Sequence, residues 1–270
     1  DLIGQRAIHR FSSLIEKIIF ILPHFFCFCT LFSSRIPAKF VVCWRGILRR
    51  KGWFCTMKRK STVLRIIENL KTLYPDALCS LQYDKDYELL FAVRLSAQCT
   101  DKRVNKVTPA LFAAFPTLES FAEADPKVVG EYIHSCGFYN GKSRDLVACA
   151  QMLLQKFDGK VPGTMEELTS LPGVGRKTAN LILGDIYKQP AYVCDTHCIR
   201  ITGRLGLTDG SKDPVQVERQ LRRVLPGEES SDFCHRMVLH GRAVCMARNP
   251  NCPGCLLKGD CDYAKANKIK

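Results

Sequence analysis

The chain is punctuated by helix starts and stops, and by little else. Asp125-Pro126 and Asp213-Pro214 each place a capping carboxylate before a proline suited to a helix's first turn. Thr164-Met-Glu-Glu167 reads as a capping box opening a short helix that ends near Ser170. Ser61 is the expected N-cap of an earlier helix, whose apolar positions Val63, Ile66, Ile67, Leu70 and Leu73 keep helical spacing until Pro75. Leu89, Leu90, Val93 and Ala97 mark another. Ala191-Tyr-Val-Cys194 alone resembles a strand, and a single strand of that length builds no sheet. The pattern predicts an all-α fold. Since 46% of the 270 residues are hydrophobic, one large core or two small ones can be buried, and disorder is excluded for most of the chain.

Charge divides the sequence. Half of the net +14 sits in residues 1–56, which hold nine Lys/Arg against Asp1 and Glu16. The apolar run at 18–32 is short for a bilayer span and is broken by Pro23 and His24, so a membrane helix is not favoured. A basic, acid-poor stretch containing serine also fits a transit peptide. Met57 is the first methionine and opens the first regular amphipathic pattern, so residues 1–56 are expected to be an upstream or targeting extension outside the fold. The +7 left on residues 57–270 fits a polyanionic partner without demanding one.

Leu171-Pro-Gly-Val-Gly-Arg-Lys-Thr-Ala-Asn180 places a two-glycine turn between the Thr164 helix and a second helix through Leu181, Ile182 and Ile186, a helix-hairpin-helix spanning about 164–187. Gly173 and Gly175 are expected to take backbone angles barred to other residues and to let N–H groups approach a phosphate. An ordinary helix–helix connection needs only one glycine cap. Lys177 falls in the first turn of the second helix, where the macrodipole disfavours a cation and Arg176 adds like-charge repulsion. Both favour a neutral, nucleophilic amine, the requirement of a Schiff-base lysine. Asp195, in Val193-Cys-Asp-Thr-His197, reads as an N-cap that could also accept a proton from Lys177 and offset positive charge on a sugar.

Four of the fifteen cysteines, Cys245, Cys252, Cys255 and Cys261, crowd into one stretch and suggest one metal centre. Structural zinc normally uses two close pairs, and this spacing is not that pattern. Four thiolates at irregular spacing favour a [4Fe–4S] cluster. Disulfides are disfavoured, because the other cysteines are scattered among apolar neighbours as in a reducing compartment.

On these motifs, with Leu95-Ser-Ala-Gln-Cys-Thr-Asp101 and His240-Gly-Arg, the chain resembles the endonuclease III family, bifunctional DNA glycosylases and AP lyases of the helix-hairpin-helix superfamily. The resemblance spans nearly all of 57–270. It implies two all-α lobes: a helical barrel over 78–189, and a lobe of 57–77 plus 190–270 carrying the [4Fe–4S] cluster on the four cysteines. Double-stranded DNA with damaged bases or abasic sites would lie between them. Lys177 would attack C1′ of an oxidised pyrimidine nucleotide, Asp195 would assist, and β-elimination would cut the abasic site. Gln98 would fill the gap left by the extruded base. Leu171, Gly173, Val174, Gly175, Arg176, Thr178 and His197 complete the expected DNA contacts of the hairpin and its surroundings.

Two departures from the family pattern matter. Phe138 stands where bacterial relatives usually carry a leucine wedge, so strand opening should persist while the opposite-base preference changes. Arg248 is the only basic residue between Cys245 and Cys252, so that loop should grip phosphates less tightly and give a smaller salt slope. A monofunctional adenine glycosylase of the same superfamily would lack Lys177 and carry a glutamate before its Gln loop and a further C-terminal domain. Arg94-Leu-Ser-Ala-Gln98 offers no such glutamate. A non-catalytic DNA-binding or redox-sensing protein that keeps hairpin and cluster is the alternative of another class. The enzyme is expected to be a monomer in a bacterial cytoplasm, associated with the nucleoid; targeting to an organelle by 1–56 stays open.

Overall fold

A computed structural model of the chain describes residues 58–269, so the expectations about residues 1–56 and about Met57 as the start lie outside the described residues. Among the described residues the regular structure is helical: α1 (Lys60–Leu73), α2 (Asp86–Leu95), α3 (Asp101–Ala114), α4 (Leu118–Ala122), α5 (Pro126–Ile133), α6 (Tyr139–Phe157), α7 (Met165–Ser170), α8 (Arg176–Asp185), α9 (Thr196–Leu205), α10 (Pro214–Val224), α11 (Ser230–Ala243) and α12 (Asp262–Ala266), with short 3-10 turns between some of them. The predicted strand at 191–194 is extended but unpaired chain, and all four of its side chains are buried.

Local chemistry explains most of the boundaries. Asp125 and Asp213 accept from the N–H groups of Lys127 and Val215, as the Asp-Pro pairs require. Thr164 accepts from the Glu167 N–H, but the second half of the expected box differs, because the Glu167 carboxylate takes the Thr164 hydroxyl rather than its backbone. The first helix starts one residue before Ser61, with Arg59 at the cap position and no side-chain cap, so Ser61 is a first-turn residue rather than the N-cap.

Helices α4 and α5 pack on the long α6, α3 packs on α5, and α2 sits between α3, α6 and α8. Phe91, Phe115 and Phe121 meet at ring separations of 5.0–5.1 Å within this group. Helix α1 leaves its sequence neighbours and packs on α11, which also holds α9, and α9 in turn holds α12. Helix α8 touches both groups, and the buried apolar side chains run through them as one continuous core. No helix among the described residues is long and apolar enough to cross a membrane.

Candidate DNA-binding and catalytic site

The hairpin is α7, the five-residue turn 171–175, and α8. Gly173 adopts φ +74°, a left-handed value that L side chains rarely adopt. A Cβ there would stand 2.6 Å from Arg94 Nε and 2.9 Å from Asp145 Cβ, so the turn is seated directly on the Arg94–Asp145 ion pair that joins α2 to α6. Gly175 departs from expectation. Its φ of −99° is open to any residue, and a Cβ would meet nothing within 4 Å. Its role is bareness rather than conformation: as the N-cap it offers no side chain, so the first N–H groups of α8 face outward without a capping acceptor. Leu171 and Val174 anchor the turn in the core, Thr178 is half-buried, and the backbone between them is exposed.

Arg176 does not direct its charge at Lys177. Its guanidinium donates to both oxygens of the buried Glu218 on α10, at 2.7 and 2.9 Å, and Arg222 and Asn180 donate to the same carboxylate. Burial pushes the Glu218 carboxyl up, but these bonds outweigh it and hold the carboxyl below the usual range. The like-charge repulsion expected from Arg176 therefore has its counter-ion at hand.

Lys177 is exposed and makes no ion pair or side-chain hydrogen bond with any described residue. Asp195 caps α9, its Oδ1 accepting from the Cys198 N–H at 2.7 Å. The second oxygen accepts no hydrogen bond from the described residues, so the capping role leaves half the carboxylate free. His197, the second residue of α9, lies so close to Gly241 of α11 that a Cβ there would overlap its ring. Burial holds His197 below the usual histidine range; Asp195 opposes that shift, and the charges of Arg200, Arg242 and Lys177 add to it. The structure thus brings Lys177, Asp195 and His197 into one electrostatic neighbourhood.

One member of that neighbourhood was given no role from the sequence. Asp101, the first residue of α3, accepts from Ser80 Oγ at 2.6 Å and from the Arg242 guanidinium at 2.9 Å. Burial pushes its carboxyl up, but those bonds and the charge of Lys177 hold it below the usual range. In sequence Asp101 looks like one more first-turn acid; only the long-range approach of α11 gives it partners.

Gln98 and Phe138 stand on separate loops. Both are exposed non-glycine residues in left-handed backbone, φ +54° and +50°, and Phe138 is 72% exposed. Such strain persists only where the surroundings enforce it and tends to gather at functional sites. Beneath them lies an enforcing residue that no local pattern singles out. Lys142, 1% exposed, donates from Nζ to the carbonyls of Leu95 at 2.8 Å and Cys136 at 2.9 Å, tying the foot of one loop to the foot of the other.

Cys245, Cys252, Cys255 and Cys261 line one pocket with Arg204, His240 and Tyr263. Burial pushes the Cys255 and Cys261 thiols up, and the charges of the neighbouring cysteines push in the same direction. Such a set ionises together only around a strongly positive centre. Among the described residues, no group of three or more His, Cys, Asp or Glu side chains converges as the ligands of one metal ion do. Four thiols around one pocket are a donor set of the kind that holds a [4Fe–4S] cluster. Arg204, another residue missed in sequence, donates to the carbonyls of Met246 and Ala247 and to Cys245 Sγ, shaping the loop on which Arg248 is exposed.

Residues 91–227 match the family model of the HhH-GPD superfamily base excision DNA repair proteins. Endonuclease III of Synechocystis sp. is 45% identical over 211 residues, covering 78% of this chain and 95% of its own. Endonuclease III of Escherichia coli (strain K12) is 38% identical over 204 residues, covering 76% and 96%. Among solved structures, a trapped endonuclease III–DNA covalent intermediate superposes with a TM-score of 0.73 at 38% identity, over 78% of this chain and all of that one. A non-covalent endonuclease III–DNA complex gives 0.74 over 79%. A thermostable thymine-DNA glycosylase, at 18% identity and TM-score 0.68, shares the fold. The chain belongs to the endonuclease III family of the HhH-GPD superfamily, the bifunctional DNA glycosylases and AP lyases of base excision repair.

Proposed function

We propose that the chain excises oxidised pyrimidines from double-stranded DNA with Lys177 as nucleophile. The observation that carries this reading is the exposed amine of Lys177, without an ion pair to any described residue, on the first turn of a helix with no side-chain cap. The amine attacks C1′, the base leaves with the electron pair of the glycosidic bond, and Asp195 takes up the amine's proton and offsets charge on the sugar. The resulting imine acidifies the proton at C2′, whose loss expels the 3′ phosphate.

The bare N–H groups from Gly173 to Thr178 would hold a backbone phosphate, with Leu171 and Val174 as the anchors of that loop and Arg176 as an exposed flank braced by Glu218. Gln98 and Phe138 would enter the duplex as the target base swings out. The relatives caught on DNA, one of them covalently, support this reading. DNA would lie between a barrel lobe of 78–189 and a second lobe of 57–77 with 190–270, a division supported by the packing of α1 on α11. Cys245, Cys252, Cys255 and Cys261 would hold a [4Fe–4S] cluster, which when bound would cross-link their loop and present Arg248 and His197 beside the DNA.

The protein would act as a monomer in a reducing compartment, since all eleven cysteines among the described residues are free thiols. It would work at the nucleoid of a bacterial cytoplasm, the bacterial origin of the relatives supporting the cytoplasm alone.

Borohydride trapping on abasic-site DNA tests the assignment. The wild-type chain should leave a covalent adduct that Lys177→Ala abolishes while its melting temperature stays unchanged. Folded wild type that yields no adduct would sink the proposal.

A further inference from the structure

Between α8 and α11 lies a cleft of about 380 Å³, whose walls descend in register from the Lys177 neighbourhood. Lys177 and Gly184 share one face of α8, and Arg242 and His235 share one face of α11; each pair is seven residues apart, about 10 Å along the axis. At the upper level Asp101 accepts from Arg242 at 2.9 Å and from Ser80 at 2.6 Å. At the lower level a Cβ on Gly184 would stand 2.6 Å from Ser231 Oγ, so the two helices close on each other there. The segment after α1 supplies a third wall, where exposed Leu78 and half-buried Tyr83 line the cleft.

The foot is polar. Asp185, the last residue of α8, accepts at Oδ1 from Ser231 Oγ and from His235 Nε2, both at 2.9 Å. Its Oδ2 is buried and accepts no hydrogen bond from the described residues. Burial pushes the Asp185 carboxyl up, but the bonds from His235 and Ser231 outweigh it and hold the carboxyl below the usual range, so it is an acceptor only. An unpaired buried acceptor is costly, and a donor brought by a ligand removes that cost. Glu228 and Asp232 also line the cleft against the single cation Lys188, so an uncharged, donor-bearing ring fits it better than an anion.

We propose that this cleft receives the extruded base and that Asp185, positioned by His235 and Ser231, selects saturated pyrimidines carrying added ring hydroxyls over those without them. The assignment rests on the reading that Lys177 attacks C1′, since a nucleoside joined to that amine spans the descent to Asp185. Intact thymine carries one ring N–H. Hydroxyls at C5 and C6 are the donors that oxidation adds, and Asp185 Oδ2 discriminates through them.

The test follows base release by the full chain with its cluster, on duplexes carrying thymine glycol, with both hydroxyls, or 5,6-dihydrothymine, with neither. The freed base is quantified by mass spectrometry, so excision is read whether or not the strand is cut. Asp185→Asn should lower the rate on thymine glycol relative to dihydrothymine by about tenfold, the worth of a hydrogen bond to a charged acceptor. Cleavage of preformed abasic DNA, which has no base to read, should stay near wild type. Ser231→Ala loosens Asp185 without removing it; it should lower the same ratio severalfold, and it decides the matter if the first variant folds poorly. An unchanged ratio in folded variants, or an equal loss on both lesions and on abasic DNA, would overturn the proposal. Affinities of Lys177→Ala for the two uncut duplexes repeat the comparison without chemistry: tighter binding of thymine glycol, lost when Asp185→Asn is added, supports the cleft, and equal affinity overturns it. Wild type that releases bases but leaves no borohydride adduct would count against Lys177 alone.

Discussion

Gly173 and Gly175 sit two residues apart and answer to different physics. Alanine at 173 meets both a left-handed backbone and the Arg94 side chain at 2.6 Å, so Gly173→Ala should lose about 2–4 kcal/mol of stability and show a lowered melting temperature. Alanine at 175 meets neither, and its stability should stay within about 0.5 kcal/mol of wild type. Its added methyl would crowd an approaching phosphate, so DNA affinity should drop severalfold in a binding titration. The sequence marked both glycines as special, but only Gly173 has a special conformation. Lys142 was invisible for the opposite reason: a lysine inside a helix pattern reads as solvated, and nothing local announces that two carbonyls from distant segments will enclose it.

At the scale of helices, α8 is braced from the side by α10 through Glu218, which is only 4% exposed and gathers Arg176, Arg222 and Asn180. Glu218→Gln should cost about 2 kcal/mol at neutral pH, discounted because both arginines keep access to water. The native carboxyl titrates below its unfolded value of about 4.3, so its contribution is complete above that pH and is lost as pH falls through the native value. Urea midpoints taken from pH 6 down to pH 3 should therefore show the gap between wild type and Glu218→Gln closing toward acid. Helix positions were largely legible because caps and prolines act within a turn of chain: Asp125, Thr164 and Asp213 all cap where expected. Ser61 failed because Lys60 already belongs to the helix, and the cap position falls on Arg59, which offers no capping oxygen. The ties between helices were not legible, since Glu218 and Asp101 acquire their meaning from residues 42 and 141 positions away.

For the whole molecule, grip on DNA should be electrostatic and sparse outside the hairpin. If exposed Arg248 neutralises one phosphate, Arg248→Ala should reduce the slope of log affinity against log salt by about 0.9. An unchanged slope would remove Arg248 from the interface and leave Gly175 and its neighbours to account for binding. The family resemblance was readable from four motifs because each concentrates in about ten residues. The continuous core joining α1 to α11 was not, as no local signal tells an amphipathic helix which distant partner it will find.

That partnership also bears on how the chain is made. Lys58 donates to Asp262, Arg65 makes a two-bond pair with Asp260, and Lys71 reaches Glu229, so the first described helix and its approach are fastened by residues made long after it. The helices from α2 to α8 have most of their partners close in sequence and can assemble during synthesis. Helix α1 must wait, its apolar face uncovered, until nearly two hundred further residues have been added. Its burial therefore belongs to a late stage of synthesis, and a chain truncated before Ser230 would expose Ile66, Ile67 and Leu70 to whatever binds nascent hydrophobic surface in the cell.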